Sequence, residues 1–502
     1  MATVRKTARR LTHRAGEDGN ELRIRMYRVG FGDFFLMTVP SDDGPQHILI
    51  DCGVTNGRTG KGDIGTIKAA VEHMAEVTGK KLALIIVSHR HQDHIIGFSR
   101  SAETFKDFQV DAIWMSAWET EYDPNEKKEK KKSKIAELQD ELTNLAMGIQ
   151  QHLAMGGKDE PERDEILAMV ENATGIAHDD FAATGGEEKK KGKGGGTNAA
   201  SLEFLKNGLG VEPQYLAKGD KPKLPAALKA AGLTAEILGP PPVEEESFDF
   251  MKLMDLAKHT GQYLGETGNG GTKKFLPFGD SSVGAASDYG KGEQDYKRAF
   301  REFGRFDSEA PEKLLEEVVR KSQPDMLFTA AKTLDDFLNN QSLVVLFTFR
   351  GKKLLFAGDA QGGNWEYWMF GGAPNKSPSL DDLHQESRTI LGNLDFYKVG
   401  HHGSTNATPI AAVEAMGGKF FSMCSTQADS FGSIKNESEV PRIPLIEALS
   451  KKSKLVRSDH IPVTVEGSEV PAVEDAPARL PKPVRGRIEQ GSIYIDYFPE
   501  SA

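Results

Sequence analysis

The segment Ser88–His94 places three imidazoles and one carboxylate within six positions of the chain. It follows directly on the apolar run 82–87, which is typical of a strand buried on both faces. His89 and His91 are two residues apart, so in extended backbone their side chains point the same way. Imidazole and carboxylate ligands that converge from one loop suit zinc, manganese or iron. A solvated histidine-rich loop is the alternative, but the position at a strand end favours a metal site.

Three further predicted strands end in side chains of the metal-binding type. Strand 47–50 ends at Asp51, a strand near 354–357 ends at Asp359, and strand 394–400 ends at His401. One such residue means little, since Asp-x-Gly also marks ordinary turns. Four strand ends of this kind together favour one shared site.

Strands and helices that could position these residues alternate along the chain. Strands are predicted at 22–26, 34–37, 47–50, 82–87, 111–116, 214–216, 234–238, 343–347, 354–357, 394–400, 420–424 and 491–498. Helices are predicted at 66–77, 199–207 and 441–451, and residues 463–485 are predicted to be a loop. The order β-β-β-α-β of the first elements, with ligands at strand ends, indicates a layered α/β fold.

Two segments interrupt this alternation of strands and helices. The first contains the Lys- and Glu-rich run 126–134, a helical pattern over 135–149 and the low-complexity stretch 184–197. The lysines could contact nucleic acid, or they could simply solvate a helix face. The second segment contains helical patterns at 250–261 and 311–323 around the Gly-rich stretch 265–290.

Composition excludes several classes of protein. The 502 residues carry a formal net charge of −11, so a nucleic-acid substrate would need a local basic surface. The two cysteines, Cys52 and Cys424, exclude a disulfide framework and predict a reducing, cytoplasmic environment. No apolar stretch is long enough to span a bilayer, so no membrane association is expected. The basic segment 1–20 lacks the apolar centre of a secretory signal and is predicted to be a disordered arm.

The pattern His-x-His-x-Asp-His, then Gly-Asp, then a strand that ends in His-His-Gly-Ser, resembles the metallo-β-lactamase superfamily. Finer features resemble its ComEC-like branch, the family of the hydrolase domain from bacterial DNA-uptake proteins. These features are the segments 29–33, 49–53, 88–97, 340–344, 355–359 and 398–404. The resemblance covers residues 20–120, 200–240 and 338–500 and leaves both interrupting segments outside.

The resemblance implies an α/β (α+β) fold, a four-layer αββα sandwich of the metallo-β-lactamase type with two large insertions. The expected division is an arm (1–20), a first half of the hydrolase domain (21–120), an insertion (121–198), a continuation (199–243), a second insertion (244–337) and the second half (338–502).

The resemblance also implies a ligand set for one or two divalent ions, with zinc or manganese expected. His89 and His91 would bind the first metal, Asp93 and His94 the second, Asp359 would bridge both, His401 would complete the second site, and Asp51 would steady the loop. Asp93, His402 and Ser404 are the candidate catalytic residues. His402 and Ser404 could position substrate or donate to the leaving group, or they could support the loop.

The sequence departs from the superfamily pattern in two places. Another histidine usually binds the first metal, and the candidates His152, His178 and His259 do not lie at strand ends. Relatives often carry His-Pro where this chain has Val440-Pro441. The missing histidine leaves open whether one metal ion or two are bound.

The expected activity is metal-dependent hydrolysis of phosphodiester bonds, as in a nuclease that acts on DNA or RNA. Hydrolysis of a small ester, lactone or thioester is the alternative, because the same activated water serves either electrophile. A non-catalytic scaffold that binds a protein partner through the insertions is a third hypothesis.

Overall fold

The computed structural model describes the chain in sections. They are residues 21–55, 65–120, 143, 146–150, 153, 163–176, 197–243, 326–371, 380–432, 434, 438–459, 463–465, 468–470, 486–491 and 493–499. The predicted arm 1–20, the Lys- and Glu-rich run 126–134, and the predicted helices 250–261 and 311–323 lie outside the described residues, as does the Gly-rich stretch 265–290.

Strands and helices are numbered here in chain order. The strands are β1 (Arg23–Tyr27), β2 (Phe34–Val39), β3 (Gln46–Cys52), β4 (Lys81–Leu82), β5 (Leu84–Val87), β6 (Gln109–Val110), β7 (Ile113–Ser116), β8 (Gln214–Leu216), β9 (Thr234–Gly239), β10 (Val344–Phe349), β11 (Lys352–Phe356), β12 (Phe396–Lys398), β13 (Phe420–Cys424), β14 (Ser453–Arg457), β15 (Val463–Val465), β16 (Ser468–Val470), β17 (Gly486–Gln490) and β18 (Tyr494–Pro499). The helices are α1 (Ile67–Thr78), α2 (Gln92–Arg100), α3 (Ala102–Phe105), α4 (Arg163–Thr174), α5 (Asn198–Glu203), α6 (Ala226–Ala230), α7 (Met326–Asn340), α8 (Gly362–Phe370), α9 (Gln385–Gly392), α10 (Ile410–Ala415) and α11 (Ile443–Lys452).

Two mixed sheets form the body of the described chain. One has the order β17-β18-β1-β2-β3-β5-β7-β8, and the other has the order β14-β13-β12-β11-β10-β9. Strands β3, β5, β7 and β8 run parallel, as do β11, β12, β13 and β14. Because neighbouring parallel strands end at one edge of their sheet, the polar residues that follow β3 and β5, or β11 and β12, are brought together.

The two sheets pack against each other through a shared apolar core. Trp114 of one sheet stacks on Phe347 of the other with ring centroids 6.4 Å apart, and Tyr497 stacks on Phe421 at 4.1 Å. Apolar side chains of α1 and α2 cover the outer face of the eight-stranded sheet. Those of α8, α9, α10 and α11 cover the outer face of the six-stranded sheet. The mixed α/β class expected from the order of elements is therefore confirmed.

Local sequence accounts for the helix ends. Helix α1 begins after Thr66, whose hydroxyl accepts the Ala69 N–H at 3.2 Å. It ends at Gly79, which has φ 58° and accepts the left-handed conformation without a Cβ clash. The predicted helix 66–77 thus agrees with α1 to within a residue at each end.

Several predicted elements differ from the structure in their extent. The predicted strand 82–87 is divided at Ala83 into β4 and β5, and the predicted loop 463–485 contains the β15–β16 hairpin. The predicted helix 199–207 is α5 followed by a wider turn, Phe204–Gly208. The expected boundary between residues 337 and 338 falls inside the continuous helix α7. The pattern of apolar residues in a sequence does not show a one-residue break in a strand or a helix that crosses a domain boundary.

Helices α4 and α7 share a third core with the segment after β7. Trp118 meets Phe337 edge to face with ring centroids 5.9 Å apart, and Val170 and Leu334 are buried beside them. The two helices come from the two regions expected to be insertions. Among the described helices, none is both long enough and apolar enough to cross a lipid bilayer.

Candidate metal centre

The histidine-rich segment turns sharply from β5 into α2. His91 is extended, with φ −63° and ψ 151°, and the helix begins at the next residue, Gln92. Asp93 and His94 therefore lie in the first helical turn. Gly53 makes this turn possible, because a Cβ there would come within 2.1 Å of the Asp93 backbone.

Four buried side chains from distant parts of the chain meet at the end of β5. The ligand atoms of Asp93, His94, Asp359 and His402 all lie within 4.8 Å of one another. Asp93 and His94 follow the eight-stranded sheet, whereas Asp359 and His402 follow β11 and β12 of the six-stranded sheet. The site is thus formed by both sheets at their common edge.

In this group each imidazole is held by Nδ1 and presents Nε2 to the carboxylates. The Nδ1–H of His94 donates to Asp51 Oδ2 at 2.8 Å, and that of His402 donates to the Ser425 carbonyl at 2.7 Å. His94 Nε2 lies 2.9 Å from Asp359 Oδ2, and His402 Nε2 lies 3.2 Å from the same oxygen. Protein groups that fix one imidazole nitrogen and direct the other inward are the usual support of metal-binding histidines.

The electrostatics of the group favour a cation between its carboxylates. Burial opposes ionisation of Asp93, but His94 and His402 lower its pKa to about 2. Burial likewise opposes a charge on His402, yet Asp359 and Asp93 raise its pKa to about 10. Without a metal, protons on these imidazoles balance the carboxylates, and a divalent ion could take their place.

A buried lysine beneath the group was missed by the sequence analysis. Lys398 Nζ contacts Asp33 and lies 3.3 Å from Asp359 Oδ1 and 2.9 Å from the Gly358 carbonyl. Lys398 therefore pairs with Oδ1 of Asp359, whereas Oδ2 of the same carboxylate faces His94 and His402. Asp33, Asp51 and His94 form a second group that could hold an ion, but Lys398 already supplies a positive charge there. Both Asp33 and Lys398 lie inside segments that carry the family resemblance, which is the signal that could have identified them.

The two histidines after β12 lie in positions that differ from those expected. His401 was expected to complete the second site, but the structure places His402 with Asp93, His94 and Asp359. His401 Nδ1 instead lies 2.7 Å from Ser404 Oγ, and its Nε2 lies 3.4 Å from Asn339 Nδ2. Both histidines have positive φ, 42° and 51°, so the backbone sends the two rings in different directions.

Asp51 and Ser404 both support neighbouring groups. Asp51 accepts the Ser88 N–H and the Ser88 hydroxyl, each at 2.7 Å, as well as His94. It holds φ 55°, a strained backbone conformation for a residue other than glycine. Asp51 thus contacts both the start of the loop, at Ser88, and its end, at His94. Ser404 contacts His401 and donates to Asn406 Oδ1 at 2.8 Å, which places it with His401 and apart from the four-residue group.

His89 and His91 lie beside the group and meet edge to face with ring centroids 4.7 Å apart. Both are fully buried, and His89 Nε2 and both ring nitrogens of His91 have no hydrogen-bond partner. Burial lowers the pKa of His91 to about 4, so its imidazole is neutral at pH 7. Neutral, unpartnered imidazoles in a buried site are competent metal ligands, because a metal would compensate for their missing hydrogen bonds.

Both helices from the insertion regions reach this centre. Asn172 of α4 accepts the Asp93 N–H at 3.3 Å, and Asp335 of α7 places Oδ1 3.8 Å from His91 Nε2. Burial and the neighbouring Asp336 raise the pKa of Asp335 well above its ordinary value. The three histidines considered for the first metal, His152, His178 and His259, lie outside the described residues.

The residues present fit a divalent metal ion. Two imidazoles and two carboxylates, all buried, match the donors that zinc, manganese and iron accept. The expected metal cofactor is therefore supported as a binding capacity of this cluster, and the identity of the ion is open among those metals.

No protein-family model matches the sequence, and a search of curated proteins finds no match.

Proposed function

We propose that the protein is a metal-dependent hydrolase that cleaves phosphodiester bonds, with a fold of the αββα metallo-β-lactamase type. The observation that carries this proposal is the convergence of Asp93, His94, Asp359 and His402 from two sheets on one buried position. Two sheets packed face to face, with helices on both outer faces, are consistent with the four-layer arrangement.

The chain's own residues would prepare the site for a metal. The Nδ1–H of His94 donates to Asp51, and that of His402 donates to the Ser425 carbonyl. The Nε2 atoms of both histidines would therefore be available as ligands. Lys398 keeps Asp359 ionised and oriented without occupying Oδ2. When bound, a divalent ion would supply Lewis-acid chemistry and lower the pKa of water to about 7.

Substrate access would be controlled by residues at the side of His89 and His91. His401 is the partly exposed imidazole of this region, and Ser404 and Asn406 hold its Nδ1. We place the substrate at this side, with His401 and Ser404 as its nearest polar groups. A carboxyl ester could occupy the same position, so a substrate panel has to distinguish the two chemistries.

The test is cleavage of DNA, RNA, a simple phosphodiester and a simple carboxyl ester by full-length protein supplied with Zn²⁺ or Mn²⁺. We expect phosphodiester cleavage that falls more than about 100-fold in Asp359→Asn and His402→Ala, because each loses a ligand. The matched control is His384→Ala, which changes an exposed histidine and should cleave like the wild type.

Three results would contradict the proposal. Cleavage that survives Asp359→Asn and His402→Ala at the wild-type rate would show that the cluster is not the active centre. Hydrolysis of the ester alone would assign the site to small-molecule substrates, and metal-loaded protein inactive on all four substrates would favour a scaffold. Circular dichroism of each variant separates lost activity from lost folding.

A further inference from the structure

His401 lies beside the centre but is not a member of the four-residue group. Its ring centroid is 6.3 Å from that of His402, and its side chain is partly exposed whereas His402 is buried. Its φ of 42° is a strained backbone conformation for a residue with a Cβ atom. Strain of this kind persists only where surrounding contacts hold the residue, so the contacts of the His401 ring indicate its role.

The Nδ1 side of the His401 ring faces hydrogen-bond acceptors. Asn406 donates from Nδ2 to Asp336 Oδ1 at 3.3 Å, so its amide oxygen is turned toward His401 and lies 3.1 Å from Nδ1. Ser404 donates its hydroxyl proton to the same oxygen at 2.8 Å, and its Oγ lies 2.7 Å from Nδ1. Gln361 Nε2 is farther away, at 3.4 Å. Because the two nearest oxygens can only accept at this point, the imidazole proton lies on Nδ1.

The Nε2 side of the same ring faces a donor. Asn339 of α7 donates from Nδ2 to Asp335 Oδ2 at 3.0 Å, and this nitrogen lies 3.4 Å from His401 Nε2. A contact of 3.4 Å is longer than a well-formed N–H hydrogen bond. Nε2 is therefore a hydrogen-bond acceptor whose lone pair is only weakly satisfied.

Helix α7 orients both amides that flank the His401 ring. The two acids that hold these amides, Asp335 and Asp336, are neighbours on this helix, and Lys332 Nζ lies 3.2 Å from Asp336 Oδ2. Both acids precede residue 338, so they lie outside the segments that resemble the superfamily. The tautomer of His401 is thus fixed by a part of the chain for which the resemblance does not account.

We propose that His401 Nε2 accepts a hydrogen bond from a substrate hydroxyl beside the phosphodiester that is cleaved, so that the protein prefers RNA to DNA. The inference rests on the proposed function, because it names the substrate class of the same centre. The oxygens of a phosphodiester only accept hydrogen bonds and cannot pair with this nitrogen. The 2′-hydroxyl is the donor by which a protein distinguishes RNA from DNA. Asp336 and Asn406 are positioning residues that act through His401.

The tautomer can be measured without reference to activity. Full-length protein with ¹⁵N-labelled histidine is loaded with Zn²⁺, and the nitrogen resonances of His401 are assigned by their loss in His401→Ala. We expect a proton on Nδ1 in the wild type. Asp336→Ala leaves the Asn406 amide free to rotate and should give a mixture of both tautomers. Asp336→Asn keeps an acceptor oxygen at this position and should restore the proton on Nδ1.

Substrate preference is measured as kcat/KM for one RNA strand, for DNA of the same sequence and for the same RNA with 2′-fluoro groups, which cannot donate a hydrogen bond. We expect RNA to be cleaved about 3–10-fold more efficiently than either analogue, the value of one hydrogen bond. His401→Ala and Asp336→Ala should remove this preference, and Asp336→Asn should retain it.

Two further variants make the result specific to the acceptor. Lys332→Met removes the ion pair with Asp336 but keeps the carboxylate, so both the tautomer and the preference for RNA should stay as in the wild type. If circular dichroism shows that Asp336→Ala is unfolded, Asn406→Leu replaces it, because that change removes the acceptor oxygen from His401 Nδ1 directly.

The outcomes separate this inference from the proposed function. A proton on Nε2 of His401 in the wild type, equal cleavage of the three strands, or a preference for RNA that survives His401→Ala would each overturn the inference and leave the proposed hydrolase standing. Failure of Zn²⁺- and Mn²⁺-loaded protein to cleave any strand would overturn both.

Discussion

At the scale of single residues, the centre depends on side chains that hold the ligands rather than on the ligands alone. Asp51 accepts three hydrogen bonds, from the Ser88 amide, the Ser88 hydroxyl and His94. This arrangement fixes the tautomer of His94 and the position of the loop at once. Outer residues of this kind typically tune metal affinity by one to two orders of magnitude.

We therefore expect Asp51→Asn to weaken metal binding by about 10–100-fold, because the amide cannot accept every hydrogen bond that the carboxylate accepts. Calorimetric titration of chelator-treated protein with Zn²⁺ measures the change. The control is Asp42→Asn, the same change at an exposed carboxylate in the turn between β2 and β3. Equal affinities of Asp51→Asn and the wild type would mean that Asp51 does not support the metal loop.

The residues of the four-residue group that the sequence revealed are those that lie in compact motifs. Asp93 and His94 are adjacent within one loop, and Asp359 follows Gly358 at a strand end. Lys398 could not be found in this way, since only the pairing of β11 with β12 places its Nζ 3.3 Å from Asp359 Oδ1. The roles of His401 and His402 also escaped the sequence, because the positive φ of both residues decides which ring faces Asp93.

At the scale of elements, strands were predicted more completely than the helices near the centre. Most predicted strands agree with the structure because short apolar runs bounded by turn residues are strong signals. Helix α7 was not predicted, since it starts in the second insertion and ends within the Asn340–Leu343 motif. A pattern in sequence does not reveal that such a helix packs on α4 and Trp118.

Helix α8 contains a buried acid that makes stability depend on pH. Glu366 is 6% exposed, and its Oε1 has no hydrogen-bond partner. Burial raises the pKa of Glu366 from 4.5 to about 7. Between pH 4.5 and about pH 7, Glu366 keeps its proton in the folded chain and has lost it in the unfolded chain. Stability contributed by this group is therefore complete at low pH and declines as the pH rises through the window.

We expect Glu366→Gln to become more stable relative to the wild type as the pH rises from 4.5 to 7, by about 1–3 kcal/mol, and to gain nothing further above pH 7. Denaturant unfolding at several pH values measures the difference in unfolding free energy. Glu76→Gln, at an exposed position on α1, serves as the control and should show no such trend. A difference that stays constant with pH would contradict the assignment.

At the scale of the whole molecule, the centre lies where two sheets meet, beside the apolar core that they share. Asp93 and His94 lie in α2, which follows β5 of the eight-stranded sheet, and Asp359 and His402 follow strands of the six-stranded sheet. A metal bound by all four would favour the folded chain over the unfolded chain, in which these ligands are far apart.

We expect a free Zn²⁺ concentration of 100 times the dissociation constant to raise the unfolding free energy by about 2.7 kcal/mol over chelator-treated protein, if one ion binds the folded chain. Denaturant unfolding with and without metal measures the increment. Asp359→Asn should lose most of it, because it removes a ligand. A variant that keeps the full increment would place the stabilising ion elsewhere.

The wide spacing of the ligands along the chain has a consequence for the timing of assembly. His402 lies 309 residues after Asp93. At about 5–20 residues per second, a ribosome reaches His402 roughly 15–60 s after Asp93. The nascent polypeptide therefore lacks a complete ligand set for most of its synthesis. Until His402 has emerged from the ribosome, the cluster lacks one of its four side chains and cannot hold an ion with all of them.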